Sequence, residues 1–225
     1  MRVVALNLRA APSRRVTALA PLITLLDQQH PDVVLLQECR KGWTEVVCHE
    51  LGLECISTHE LLEGTAGLRA DGCAIAVRPP LRTMSAQPVE PGMFMPPAIE
   101  ALIGPDTLSR CEQLPGELLV RFRARSLIAR IVDGPREFAA GSFHATPGMG
   151  RYGPKPGRRV GDWKPFFHGG VAATLTGLTW PFVFAIDANE PRAETLNSIT
   201  FHRDGRPGAR KLAALLGLRP VHRGS

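Results

Sequence analysis

Apolar residues in this chain gather into short runs, and several of those runs end on a polar side chain. Val3-Val4-Ala5-Leu6 leads into Asn7, and Val33 to Leu36 leads into Gln37-Glu38. Such runs are too short for a helix and carry no helical period, which predicts buried strands. Cys73 to Val77 behind Asp71-Gly72, Leu118 to Phe122 and Phe138 to His144 read the same way, and Phe182 to Ile186 delivers Asp187 and Asn189. Helical spacing is found elsewhere. Val16, Leu19, Leu22 or Ile23, and Leu26 form one apolar face behind a Ser13 cap, with Pro21 expected to kink or split the helix. Trp43 to Leu51 is amphipathic, Asp162 can cap a helix running to about Gly177, and a last helix near Ala209 to Leu216 is stopped by Gly217. Residues 145 to 161 are rich in Gly and Pro and read as a loop. Strands follow both helices and other strands, so the pattern predicts an α/β or α+β protein with mixed sheets.

Size and composition narrow the class. A chain of 225 residues, 44% hydrophobic and 21% charged, is expected to fold as one domain over residues 1–225 with a substantial core. Its most apolar stretch, Val171 to Ile186, is broken by Thr174, Thr176, Gly177, Thr179 and Pro181, and Arg2 is followed by only a short apolar run. Neither a membrane span nor a secretory signal is expected, which points to the cytoplasm. The five cysteines (Cys39, Cys48, Cys55, Cys73, Cys111) contain no C-x-x-C pair, so reduced thiols are expected rather than a zinc site or disulfides.

Charge changes the picture more. Of 27 basic residues 23 are arginine, and they are unevenly placed. Up to Leu118 there are 10 basic and 14 acidic residues; from Leu119 onward there are 17 and 7. An arginine-rich half suits a phosphate-bearing partner, because guanidinium binds phosphate oxygens bidentately; codon bias toward arginine is the alternative. Arg151, Lys155, Arg158 and Arg159, all in the 145–161 loop, are candidate phosphate contacts. Arg121 is another, although with Arg123 and Arg125 on one strand face it could equally mark a solvated sheet edge.

The strand ends carry the candidate chemistry: Asn7, Glu38, His144, and Asp187 with Asn189. Carboxylate and carboxamide oxygens are hard ligands that suit Mg²⁺ or Mn²⁺. Each residue alone is a weak signal, but their order is specific. Ala5-Leu6-Asn7, Leu36-Gln37-Glu38, Gly72-Cys73-Ala74-Ile75, Ser142-Phe143-His144 and Ile186-Asp187-Ala188-Asn189 together resemble the endonuclease/exonuclease/phosphatase superfamily, with its deoxyribonuclease I-like fold.

The resemblance implies a two-sheet α/β sandwich with its site at one rim. It implies that Glu38 binds the divalent cation with Asn7 beside it. Asp187 and Asn189 would orient and deprotonate water, and His144 would hydrogen-bond the scissile phosphate or protonate the leaving oxygen. The implied activity is Mg²⁺-dependent phosphodiester hydrolysis, with nucleic acid as the first expectation. A small-molecule or lipid phosphoesterase and a non-catalytic phosphate- or partner-binding remnant are the alternatives. The family normally closes on a strand ending Ser-Asp-His, whereas this sequence closes on Val221-His222-Arg223-Gly224-Ser225. That departure predicts a domain lacking its last strand, a slow site, and self-association through an open sheet edge.

Overall fold

A computed structural model describes residues 1–8, 19–65, 72–89, 116–145 and 164–187. Backbone contacts divide the chain into two compact units. The first unit comprises Met1–Val89, Gly116–His144 and Leu178–Asp187; the second comprises Glu90–Pro115, Ala145–Gly177 and Ala188–Ser225.

Among the described residues the first unit holds two four-stranded sheets. The first sheet is built from β1 (Val3–Asn7), β2 (Val33–Cys39), β3 (Glu54–Ser57) and β4 (Gly72–Val77), in the order β1-β2-β4-β3. The second sheet takes β5 (Arg82–Pro88), β6 (Ser126–Asp133), β7 (Arg136–His144) and β8 (Phe182–Asp187) in sequence order. Each sheet contains one parallel pair: β1 with β2, matching Asn7 to Gln37, and β7 with β8, matching His144 to Asp187. The other pairings are antiparallel.

Both faces of the first sheet are buried, which is why β2 reads as a continuous apolar run. Val33 and Leu35 point toward the second sheet and pack with Ile75, Val77, Leu127, Ala129 and Ile131. Val34 and Leu36 point the other way, onto Leu26 of helix α1 (Ala20–Gln29) and Trp43, Val47 and Leu51 of helix α2 (Trp43–Leu51). Leu26, Leu35 and Leu36 are fully buried, each such burial contributing about 1.5–3 kcal/mol. The unit is thus an α/β sandwich of two mixed sheets, as the sequence predicts.

Three sequence expectations change. Pro21 neither kinks nor splits α1: the helix begins at Ala20, so the proline lies in its first turn, where a missing N–H costs nothing. The Leu118–Phe122 run is no strand but part of helix α4 (Gly116–Ala124). Glu, Leu, Arg and Ala are all good helix formers, and the helix closes where the Ser126 hydroxyl donates to Phe122 O at 2.8 Å. The apolar pattern does not predict strands β3, β5 and β6, and β5 is a half-exposed edge strand with little apolar patterning. A short helix α3 (Thr58–Leu61) follows β3, its first turn capped by Ser57, which accepts from Glu60 N.

In the second unit the described part is helix α5 (Lys164–Thr176), with Phe167, Val171, Ala172 and Leu175 buried at helical spacing. Ser13, Asp162, the 145–161 loop beyond Ala145, the 209–216 segment and the chain's closing residues lie outside the described residues. No helix among the described residues is long and apolar enough to cross a membrane. Cys39, Cys48, Cys55 and Cys73 are free thiols; Cys111 lies outside the described residues.

Candidate functional site

The two parallel pairs end side by side, so each sheet delivers two polar residues to one rim of the first unit. On the first sheet the delivery depends on a break in regular pairing. Leu36 faces Ala74 and Cys39 faces Gly72, so Gln37 and Glu38 together oppose Cys73 alone: a β-bulge. At the bulge Glu38 adopts φ +51°, the left-handed region that a non-glycine residue enters only under local constraint. Bulges re-aim side chains next to functional sites. Without this one, Glu38 would follow the alternation of Leu36 and face the helices.

Gln37 is buried and inward-facing. Its Nε2 donates to Ser142 Oγ at 3.0 Å and to Leu35 O at 3.3 Å, while the Ser142 hydroxyl donates to Leu36 O at 2.7 Å. These bonds join β2 to β7 just behind the rim. At the rim itself Asn7 Nδ2 donates to Glu38 Oε1 at 3.0 Å and also to Asp187 Oδ2. His144 Nε2 lies 3.2 Å from Glu38 Oε1. One ligand atom from each of Glu38, His144 and Asp187 falls within 4.8 Å of the others. His144 is almost fully buried, whereas the Glu38 side chain keeps 23% of its surface exposed. The backbone N–H of His144 donates to Arg125 O at 2.8 Å, which fixes the end of β7.

Two carboxylates from different sheets therefore meet on a single amide group. Their mutual repulsion is relieved by a cation, and the oxygen-rich donor set fits a hard divalent ion that keeps positions for water and phosphate. The exposed side of Glu38 provides the opening through which those ligands would enter. Glu38 and Asn7 would hold such an ion, and His144 and Asp187 would stand beside it as hydrogen-bond partners or proton carriers.

Sequence reasoning brought Asn7, Glu38, His144 and Asp187 to this rim, and the structure joins all four. Asn189 and the loop residues Arg151, Lys155, Arg158 and Arg159 lie outside the described residues. Arg121 is carried by α4 rather than by a strand. Arg125 reaches the site through its backbone, its carbonyl accepting from the His144 N–H; burial pushes the nearby Cys73 thiol up, Asp187 adds to that, and the charge of Arg125 opposes it. A strand over Leu118 to Phe122 would set Arg121, Arg123 and Arg125 alike on one face, which the helix does not. Ser142 is a further support of the site, and Ser-x-His in the sequence is the signal for it, since the spacing puts Ser142 on the same face of β7 as His144.

Comparison with known proteins gives the same picture. Residues 4–135, more than half of the chain, match the family model described as the Endonuclease/Exonuclease/phosphatase family. No curated protein matches the sequence. Among solved structures the chain is similar to D. rerio TDP2 humanized by 14 mutations, at 14% identity and TM-score 0.51, covering 87% of this chain and 69% of that one. It is also similar to D. rerio TDP2 complexed with single strand DNA product, at 13% identity and TM-score 0.51, covering 87% and 63%. A third is TDP2 from C. elegans, at 13% identity and TM-score 0.51, covering 85% and 48%. At such identities the likeness establishes the fold. The chain spans less than two thirds of the last two.

Proposed function

The chain belongs to the endonuclease/exonuclease/phosphatase family, and from that premise we propose that it is a Mg²⁺-dependent phosphodiester hydrolase acting on nucleic acid. The observation that carries the reading is the convergence of Asn7, Glu38, His144 and Asp187 from the ends of four strands in two sheets. Nucleic acid is favoured over smaller phosphoesters by the excess of basic residues after Leu119, since phosphate contacts supply most non-specific affinity. A structure of like fold described as holding a single-strand DNA product supports the same choice.

Each residue then has a task. Glu38 and Asn7 bind the cation, which when present neutralises charge on the scissile phosphate. Asp187, with Asn189 following it in sequence, orients the attacking water and accepts its proton. His144 hydrogen-bonds a phosphate oxygen or protonates the leaving oxygen, and its contact with Glu38 keeps the ring turned toward the rim. Arg121, Arg151, Lys155, Arg158 and Arg159 are proposed contacts to flanking phosphates, where a guanidinium or ammonium needs no base-specific geometry.

The test is cleavage of supercoiled plasmid and of a chromogenic phosphodiester with Mg²⁺ or with a chelator. Wild type is expected to cleave only with the metal, and Glu38→Gln, which keeps the shape but removes the charge, is expected to lose most of that activity. Equal cleavage by Glu38→Gln at limiting Mg²⁺ would refute the assignment.

A further inference from the structure

His59 lies outside the rim, on α3, yet it reaches the segment that aims Glu38. Its Nε2 is 3.0 Å from Cys39 O, the carbonyl directly after Glu38, and the residue is only 5% exposed. A carbonyl oxygen only accepts, so this bond requires the proton on Nε2. The ring gets there by crossing the backbone of β4 at Gly72. A Cβ on Gly72 would lie 2.6 Å from His59 Nε2, 2.7 Å from its Cδ2 and 2.9 Å from Thr58 Oγ1. Position 72 therefore has room for the imidazole only because it carries no side chain.

The helix that presents His59 is itself tied down. Thr58 Oγ1 donates to Ala124 O at 2.7 Å and accepts from Cys73 N at 3.0 Å, and Ser57 caps the turn. Gly72 and Cys73, the residues opposite the bulge, are thus held by α3 from one side, and Cys39 by His59 from the same direction. A bulge interrupts the ladder and leaves backbone groups that need other partners. A non-glycine residue in the left-handed region persists only where its surroundings over-determine it. His59 supplies that constraint within one residue of the strained position.

We infer that His59 is a positioning residue for the cation site: by holding the Cys39 carbonyl it fixes the bulge that turns Glu38 to the rim. The inference rests on the reading of Glu38 as a metal ligand. Outer-shell partners of metal ligands typically change affinity by about 10–100-fold when removed, and a comparable effect is expected here although His59 acts through the backbone.

The experiment measures Mn²⁺ affinity of the full chain by electron paramagnetic resonance, with circular dichroism to check the fold. The proteins are wild type, Glu38→Gln, His59→Phe and His59→Gln. His59→Phe keeps a flat ring on Gly72 but has no donor, and should weaken Mn²⁺ binding by about 10–100-fold. His59→Gln keeps an N–H that can reach Cys39 O and should restore most of the affinity, which loss of packing alone would not predict. If His59→Phe does not fold, His59→Asn takes its place, since its shorter amide stops short of the carbonyl. Wild-type affinity in His59→Phe or His59→Asn, with binding lost in Glu38→Gln, would overturn the role of His59 alone. Wild-type affinity in Glu38→Gln, or none in wild type, would take down the metal reading as well.

Discussion

Gln37 and Ser142 tie the two sheets together at 3.0 Å, one residue before Glu38 and two before His144. Both side chains are buried, so neither can turn to water instead. Ser142→Ala leaves the Gln37 amide without that acceptor and should cost about 1–3 kcal/mol, the penalty for an orphaned buried polar group. Replacing both, as Gln37→Met with Ser142→Ala, should cost less than the sum of the singles because the pair is removed together. Urea unfolding of the four proteins checks this, and strictly additive losses would mean the two groups act separately.

How much of this was legible beforehand depended on where the signal lay. Val33 to Leu36 is buried on both faces, so its apolar run and its polar ending stand out in the sequence, and Glu38 could be found. The runs before Asn7, His144 and Asp187 stand out by the same polar ending, although β1 and β8 are only partly buried. The bulge at Glu38 was invisible, because it follows from Cys39 pairing with Gly72 on a strand distant in sequence. Strand β5 escaped for the opposite reason: on an edge, half-exposed, Arg82 to Pro88 needs little hydrophobic content to pair with β6. Residues 118–122 misled because a short apolar run fits strand or helix equally, and only length separates them. His59 gave no signal at all, since a lone histidine in a polar-looking turn has no pattern to belong to.

Stability should fall with alkaline pH in a way that Cys39 reports. Burial pushes the folded Cys39 thiol up to about 12 from an ordinary 9.0. Below pH 9 both states keep the proton and nothing changes. Between the two values the unfolded chain loses its proton while the folded one does not, so stability declines as pH rises, by up to about 1.4 kcal/mol per pH unit for one thiol. Cys73 is raised by burial too and acts in the same direction. Unfolding midpoints measured from pH 8 to 10.5 should slope downward, and Cys39→Ala should flatten part of that slope. An unchanged slope in the variant would mean that Cys39 does not titrate between the two states.

His144 and Asp187 stand opposite each other in register on β7 and β8 and share the rim with Glu38. Residues that serve one transition state are not additive in their losses. Each alanine substitution should lower the metal-dependent rate by about 10²–10⁴, and the double variant should be little slower than the poorer single. Rates from single-turnover cleavage decide it: multiplied losses would place the two residues in separate steps.

The strain at Glu38 gives the last prediction. Left-handed φ costs an L-residue about 1–2 kcal/mol, while glycine enters that region freely at an unfolded-state cost of about 0.5–1 kcal/mol. Glu38→Gly and Glu38→Ala delete the same contacts with Asn7 and His144, so their difference isolates the backbone. At ordinary strand positions alanine is the more stable of the two. Here the order should reverse, with Glu38→Gly more stable than Glu38→Ala by up to about 1 kcal/mol, while neither variant keeps metal-dependent cleavage. Chemical denaturation of both settles the sign. If Glu38→Ala is the more stable protein, the bulge relaxes in solution and Glu38 reaches the rim without a left-handed backbone.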